Sequence, residues 1–320
     1  MERFPTAGAF TIARGSRTEA VVVVASVARG GCVGRGECVP YARYGETVES
    51  VVDQIRALDG PLVLGANRAD LLGLAPAGAA RNAVDCALWD LEAQEAGRPV
   101  HALAHLAPPE PLVTAYTISL DAAPAMAAAA ARVASRPLLK VKLGGDGDAE
   151  RIAAVRGAAP DARLIVDANE AWNESAYPDL VRACAEAGVE LIEQPFPTAE
   201  DGCLGRLPRP VPICADESSH DTGSLDRVVG LYDAINIKLD KTGGLTEALR
   251  LRAGAQVRGL RIMVGCMLGT SLAMAPALLL AADADWVDLD GPLLLARDRD
   301  QGLLYDGRTV APGPCASWGA

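Results

Sequence analysis

Charged residues recur in this chain where a buried strand should be apolar. Lys140-Val141-Lys142, Asp167-Ala168-Asn169, Glu193, Asp216, Lys238 and Asp288-Leu289-Asp290 each stand at the end of a short apolar or β-branched run. Any one of them reads as an ordinary solvated strand end, but six such ends in one chain do not. Alternation along a strand puts Lys140 and Lys142 on one face, and Asp167 and Asn169 on one face. Asp167, Glu193 and Asp216 offer hard carboxylate oxygens with no His or Cys among them, which suits Mg²⁺ rather than zinc. Lys140 and Lys142 flank these acids on one side and Lys238 on the other. A partly desolvated lysine near other cations has a lowered pKa and can act as a base near neutrality. A metal ion that holds a carboxylate stabilises the enediolate formed when its α-proton leaves. With amines on opposite faces, a proton taken from one side can be returned on the other, which inverts a stereocentre.

The elements that must position these groups are eight β-type runs: Leu112–Ser119, Leu138–Leu143, Arg163–Ala168, Val189–Glu193, Val211–Ala215, Ala234–Leu239, Leu260–Gly265 and Trp286–Asp290. Their starts lie 22 to 26 residues apart, the length of a strand–helix unit with short loops. Eight such units predict a closed α/β barrel with its chemistry at the C-terminal strand ends. Strands two and six, which carry the lysines, lie opposite each other in that ring. Too little chain follows Asp290 for a full last helix, so the barrel is expected as (β/α)7β, a modified TIM barrel, over residues 111–292.

Residues 1–110 read differently, as an α+β capping domain. Ala20–Ala28 and Cys32–Val39 flank Arg29-Gly30-Gly31, a hairpin signal. Helical periodicity covers 46–59 and 79–96, the second closed by Gly97. GGCVGRG lacks the GxGxxG spacing and no helix follows it, so it is not read as a phosphate loop. Glu2–Gly8 is a poor strand by pattern. The segment 293–320, with Gly302, Gly307 and Gly313, is expected to return to the capping domain.

The chain has 320 residues, 50% of them hydrophobic, and 30 basic against 41 acidic residues give a formal net charge of −11. That balance argues against nucleic acid as a partner. No apolar run is long enough for a membrane helix and the N-terminus lacks a signal-peptide pattern, so a cytoplasmic location is expected. Eight scattered cysteines, Cys315 the last, read as reduced core residues. His101 and His105 could share a helix face, but they lack the third ligand a zinc site needs.

The motifs LLKVKLGG, LIVDANEAW, LIEQPFP, ICADES, INIKLDKTGGL and MVGCMLGTS resemble those of the enolase superfamily, in its muconate-lactonising subgroup. With the cap, the resemblance covers nearly the whole chain. It implies that Asp167, Glu193 and Asp216 bind Mg²⁺, one per subunit, with Mn²⁺ as a substitute. Lys142 and Lys238 become the paired acid/base catalysts, and Lys140 sits beside the substrate carboxylate and tunes Lys142. Asn169 and Glu217 support that set. Within the subgroup the chain looks like the dipeptide epimerases. Asp288 and Asp290 then take a dipeptide ammonium, a charge-assisted pairing. Arg17, in FTIARGSRTEA, takes a glutamate side-chain carboxylate, and the loop Arg14–Thr18 closes over the site. Thr117, Cys266 and Leu268 fall at further substrate contacts.

The activity implied is epimerisation of L-Ala-D/L-Glu in murein peptide recycling, with a small dipeptide as the partner and a homo-oligomer compatible with the fold. Epimerases of other dipeptides, cycloisomerases and o-succinylbenzoate synthases are the rival readings, and the last two need no ammonium site. A Schiff-base aldolase using Lys238 is a rival of another class, against which the three-acid set counts.

Overall fold

The computed structural model describes residues 1–314 and 318. Three antiparallel strands open the chain: β1 (Glu2–Ile12), β2 (Gly15–Arg29) and β3 (Cys32–Cys38). The apolar side chains of β2 alternate onto the helices that follow, the largest of which is Ala79–Ala96, ended by Gly97 in the left-handed conformation. Glu2–Gly8, a poor strand by pattern, is nonetheless part of a strand. Its backbone pairs with Ala20–Val22 of β2, Phe4 is buried, and the edge tolerates Pro5. Pairing slips between Pro5 and Phe10, and this irregular stretch leans on the barrel.

The glycines of GGCVGRG do not cradle an anion. Gly34 and Gly36 lie on one face of β3, pressed against the helix Ala79–Ala96. A Cβ at Gly36 would stand 2.2 Å from Ala83 O, and one at Gly34 would stand 2.0 Å from Ala87 O. Backbone contact of this kind excludes any side chain.

The predicted first barrel run divides in two. β4 (Leu112–Val113) leaves the barrel to pair with the C-terminal segment, and β5 (Tyr116–Ile118) enters it. Then come β6 (Leu138–Lys142), β7 (Arg163–Asp167), β8 (Val189–Glu193), β9 (Ile213–Ala215), β10 (Ala234–Ile237), β11 (Arg261–Val264) and β12 (Trp286–Val287). All pair in parallel in chain order, and Ala115 N donates to Val287 O at 2.8 Å, joining the first strand to the last. Ala115, Leu138, Ile165, Leu191, Cys214, Ala234, Met263 and Trp286 form one buried layer across the barrel, one residue per strand position. That layer is the floor on which the charged residues rest.

After β12 the chain makes a short 3-10 turn, Gly291–Leu294, in place of an eighth helix. β13 (Leu304–Tyr305) and β14 (Thr309–Ala311) follow, β14 pairing with β4. Between them and the barrel, Ala296 N donates to Pro5 O, and Arg299 bonds Glu37 and Glu2. No helix of the described residues is long and apolar enough to cross a membrane. The helix holding His101 stops at Leu103, and His105 has φ 57, so the two histidines share no helix face. Seven cysteines are free, five of them buried, and Cys315 lies outside the described residues.

Gly36→Ala forces a methyl group into the helix backbone. Overpacking of this kind costs on the order of 1–3 kcal/mol or more, so a lowered urea midpoint is expected, while Gly8→Ala, which meets open space, leaves it unchanged.

Candidate active site

Strand alternation delivers the charged residues to one place. The inward positions of β6 and β7 are Lys140, Lys142 and Asp167, and Glu193 ends β8. Asp216, Lys238, Asp288 and Asp290 stand one to three residues past their strands, at the C-terminal end, as the run Val211–Ala215 suggested for Asp216 and not as the runs suggested for the other three. Asp167, Glu193 and Asp216 each offer an oxygen, all within 4.8 Å of one another, and all three are buried. An all-oxygen, water-poor donor set of three carboxylates fits a hard divalent cation.

The lysines interleave with these acids. Lys142 Nζ donates to Asp167 Oδ2 at 2.6 Å, and Lys238 Nζ to Asp216 Oδ2 at 2.6 Å. Lys140 Nζ donates to Asp288 Oδ2 at 2.8 Å and lies 2.6 Å from Glu193 Oε2, an ion pair without hydrogen-bond alignment. Asp290 Oδ2 accepts from Thr117 N at 2.6 Å. Asp288 Oδ1 is buried and accepts no bond.

Above this floor is a cavity of about 410 Å³ between barrel and cap. Of the expected residues, Arg17, Lys142, Lys238, Asn169, Asp216, Glu217, Cys266 and Leu268 line it. Lys140, Asp167, Glu193, Asp288 and Asp290 do not and are buried, and Thr117 lines a separate cavity. Arg17 lies over the Tyr41 ring at 5.4 Å and pairs with no carboxylate among the described residues.

Its neighbours are already neutralised. Arg14 Nη2 lies 2.7 Å from Glu217 Oε1, and Arg14 Nη1 donates to Asn169 O at 3.1 Å. Arg43 grips Glu170 through two bonds of 2.8 and 2.7 Å. Asn169 and Glu170 both have positive φ, 47 and 67, which turns the loop after β7 toward the cap. Arg14 fell in the loop expected to close over the site, whereas Tyr41, Arg43 and Tyr44 lie in RGECVPYARYGE, a segment that resembles the dipeptide epimerases without marking these residues singly.

The electrostatics depart from expectation at the lysines. Burial pulls Lys238 down, but the carboxylates of Asp216 and Glu193 more than reverse this and hold it well above the usual lysine range. Burial likewise opposes the charge on Lys140, and Asp288, Glu193 and Asp167 override it. At Lys140 and Lys238 the lowering expected from neighbouring cations fails because each touches acids before it feels other lysines, whereas burial keeps Lys241 below the usual lysine range. Asp216 is held far below the carboxylate range, with burial outweighed by Lys238, Lys241 and Lys140. Glu217 is pushed up to about 7 by burial and by the charges of Asp216 and Asp167.

Two buried residues escaped the sequence reading. Lys241 Nζ reaches Asp216 Oδ1 and Asp216 O at 2.6 Å and Asn236 O at 2.8 Å. Asn236 Nδ2 donates to Glu193 Oε1 at 2.7 Å. Asn236 was findable, since it shares a strand face with Lys238 by the same alternation that pairs Lys140 with Lys142. Lys241 lies in the one-turn helix Leu239–Thr242, which no period reveals. Beside it, Asp240 ties cap to barrel by accepting from Val39 N at 3.1 Å and Asn82 Nδ2 at 2.9 Å.

Residues 1–104 match the mandelate racemase / muconate lactonizing enzyme N-terminal domain family, and residues 125–292 the enolase C-terminal domain-like family. The chain is 45% identical over 306 residues to the L-Ala-D/L-Glu epimerase of Escherichia coli (strain K12), covering 95% of each. It is also 45% identical to the N-acetyl-D-glutamate racemase of a Pseudoalteromonas species, covering 89% of this chain and 91% of that protein. A crystal structure of an enolase family member from Agrobacterium tumefaciens, with homology to dipeptide epimerases and with bound sodium and L-Ala-L-Glu, superposes with a TM-score of 0.97. Its identity is 54%, over 99% of this chain and 98% of that one.

Burial pushes the Asp240 carboxyl up to about 7, with smaller contributions from Glu46 and Glu37. Folding therefore favours its protonated form. That contribution to stability is complete below about pH 4, the unfolded value, and is lost as pH rises through 7. Asp240→Asn keeps the acceptor and removes the titration. Thermal melts should show the variant no more stable than the parent at pH 4.5 and several degrees more stable at pH 8.

Proposed function

Because the chain belongs to the mandelate racemase / muconate lactonizing enzyme family of the enolase superfamily, and is an isomerase, we propose that it is a Mg²⁺-dependent epimerase of L-Ala-D/L-Glu. The observation that carries this reading is the pair Lys142 and Lys238, which line one cavity from opposite strands, each bonded to a different acid of the three-carboxylate cluster. Asp167, Glu193 and Asp216 hold the cation, which when bound supplies Lewis acidity toward a substrate carboxylate. Mn²⁺ can stand in for it.

The chain's own residues do the rest. Lys142 and Lys238 face the glutamate α-carbon from opposite sides. One, unprotonated, takes the α-proton, and the other, as an ammonium, returns a proton to the opposite face. The product then leaves with the two lysines in exchanged protonation states, and reversal restores them. Lys140, tied to Asp288 and Glu193, sets a positive charge beside the substrate carboxylate and beside Lys142. Arg17 meets the distal carboxylate as a bidentate fork.

Asp288 Oδ1, buried without a donor, favours a substrate that brings a charged donor there, as a dipeptide ammonium does. An N-acylglutamate lacks that charge, so it ranks below the dipeptide. This activity belongs with recycling of cell-wall peptide in the cytoplasm.

Proton NMR of L-Ala-L-Glu with the protein and Mg²⁺ in D₂O tests the reading. Loss of the glutamate α-proton signal and growth of the L,D diastereomer are expected, both stopped by EDTA. Exchange of N-acetylglutamate in place of the dipeptide would transfer the assignment to an N-acylamino acid racemase. Lys238→Ala should abolish epimerisation and leave exchange from one enantiomer only. Normal interconversion by that variant would exclude the two-lysine scheme.

Arg17→Ala should lower kcat/KM for L-Ala-Glu by about 10²-fold, the scale of a lost charged contact, and leave a neutral dipeptide nearly unaffected. Equal losses on both substrates would remove Arg17 from the role.

A further inference from the structure

The loop that follows Lys142 is tied down by one buried carboxylate. β6 ends at Lys142, Gly144 and Gly145 come after Leu143, and the helix Asp148–Ala158 begins soon after them. Asp148, at the head of that helix, is fully buried, and four donors converge on it. Its Oδ1 accepts from Gly144 N at 3.0 Å and from Arg151 Nη1 at 2.9 Å. Its Oδ2 accepts from Gly145 N at 2.8 Å and from Trp172 Nε1 at 2.9 Å. A carboxylate has about four acceptor positions, so all of them are used. An acid in the first turn of a helix is ordinary, because it meets the positive end of the helix dipole. A helix cap alone requires neither an indole from a second loop nor an arginine that reaches a third.

These partners join three neighbouring loops of the barrel. Gly144 and Gly145 lie after β6. Trp172 lies after β7, in the loop that carries Asn169 and Glu170, where Arg14 and Arg43 of the cap attach. Arg151 also donates to Asp146 O at 2.6 Å and to Asp121 O at 2.9 Å, the latter after β5. The loops after β6 and β7 approach closely, since a Cβ at Gly145 would stand 3.1 Å from Ala171 O. Among the described residues no hydrogen bond joins this brace to Lys238, which stands past β10 and donates to Asp216.

On the reading that Lys142 and Lys238 each serve one face of the substrate, we propose that Asp148 is a positioning residue for Lys142 and not for Lys238. It fixes the C-terminal end of β6 against the loop that receives the cap, and so fixes the direction from which the Lys142 side chain enters the cavity. Proton transfer demands a close and aligned donor–acceptor pair, so a small displacement of a base lowers the rate steeply. The two lysines are supported separately, Lys142 through Asp148 and Lys238 through Asp216 with Lys241 behind it. Each face of the reaction can therefore fail on its own.

The test is the initial rate of α-proton loss from L-Ala-L-Glu and from L-Ala-D-Glu, each measured alone by proton NMR in D₂O at saturating Mg²⁺. It is made on the parent, Asp148→Asn and Trp172→Phe, with circular dichroism melts for each. Lys142→Ala and Lys238→Ala show which diastereomer each lysine serves, by the exchange that survives. Asp148→Asn keeps one acceptor oxygen and sets an amide nitrogen against two of the donors. It should slow exchange of the diastereomer served by Lys142 by about tenfold or more, the scale of a misplaced base, and leave the other within about twofold. Trp172→Phe removes one donor, keeps Asp148, and should give a smaller loss on the same diastereomer. A general loosening of the fold slows both diastereomers alike. Equal losses in a folded Asp148→Asn, or no loss, overturn the inference. If Asp148→Asn does not fold, Trp172→Phe decides, and the parent's ratio of the two rates in that variant overturns the inference. A parent that exchanges neither diastereomer overturns the two-lysine reading beneath it, which is a distinguishable result.

Discussion

Everything at the top of this barrel depends on a buried lattice of opposite charges. Asp167, Glu193, Asp216 and Asp288 alternate with Lys140, Lys142, Lys238 and Lys241, and none of the eight is more than 8% exposed on its side chain. Taking any one of these ions out of water costs several kcal/mol, and only its neighbours offset that. The lattice is therefore complete or it is a liability, because deleting one member leaves an unmatched charge in a dry place. This explains why the supporting donors are so fully used. It also separates two groups of lysine. Lys140 and Lys241 are locked among acceptors, whereas Lys142 and Lys238 border open space and have freedom to work.

The cap contributes by subtraction. Three arginines reach toward the cavity from it, and two are cancelled, Arg14 by Glu217 and Arg43 by Glu170. Those two fasten cap to barrel through loops turned by the left-handed residues Asn169 and Glu170. What remains is Arg17, which pairs with no carboxylate among the described residues, shares the cavity with Lys142 and Lys238 and lies over the Tyr41 ring. Selectivity for an acidic side chain would follow from leaving one charge uncancelled.

Much of this was legible in the chain because the barrel repeats and its chemistry sits at fixed phases of the repeat. Strand order, helix periods at 46–59 and 79–96, and the alternating charged ends all rest on local pattern. What was hidden depends on partners distant in sequence. β1 has no alternation of its own and is a strand because β2 offers it a ladder. The run at Leu112–Ser119 divides because the C-terminal strand β14 captures its first residues. Strand ends were placed too far along at Lys238 and Asp288, which stand just past β10 and β12. Lys241 was passed over because a one-turn helix leaves no period. The glycines of β3 carried a real signal with two explanations, and only the position of the helix Ala79–Ala96 distinguishes close packing from a ligand cradle.

The tail does more than finish the chain. Leu295 bridges Thr6, Ala296 donates to Pro5, and Arg299 holds both Glu2 and Glu37. β1 is thus secured by residues that follow it by nearly the length of the barrel, 297 positions in the pair Glu2–Arg299. Its exposed edge must wait through synthesis of the entire barrel, a contact of long sequence separation and so among the slowest to form. For most of that interval β1 presents an open ladder to any neighbouring nascent chain. β1 and the segment after β12 serve as a closure applied once, after the barrel between them has been assembled.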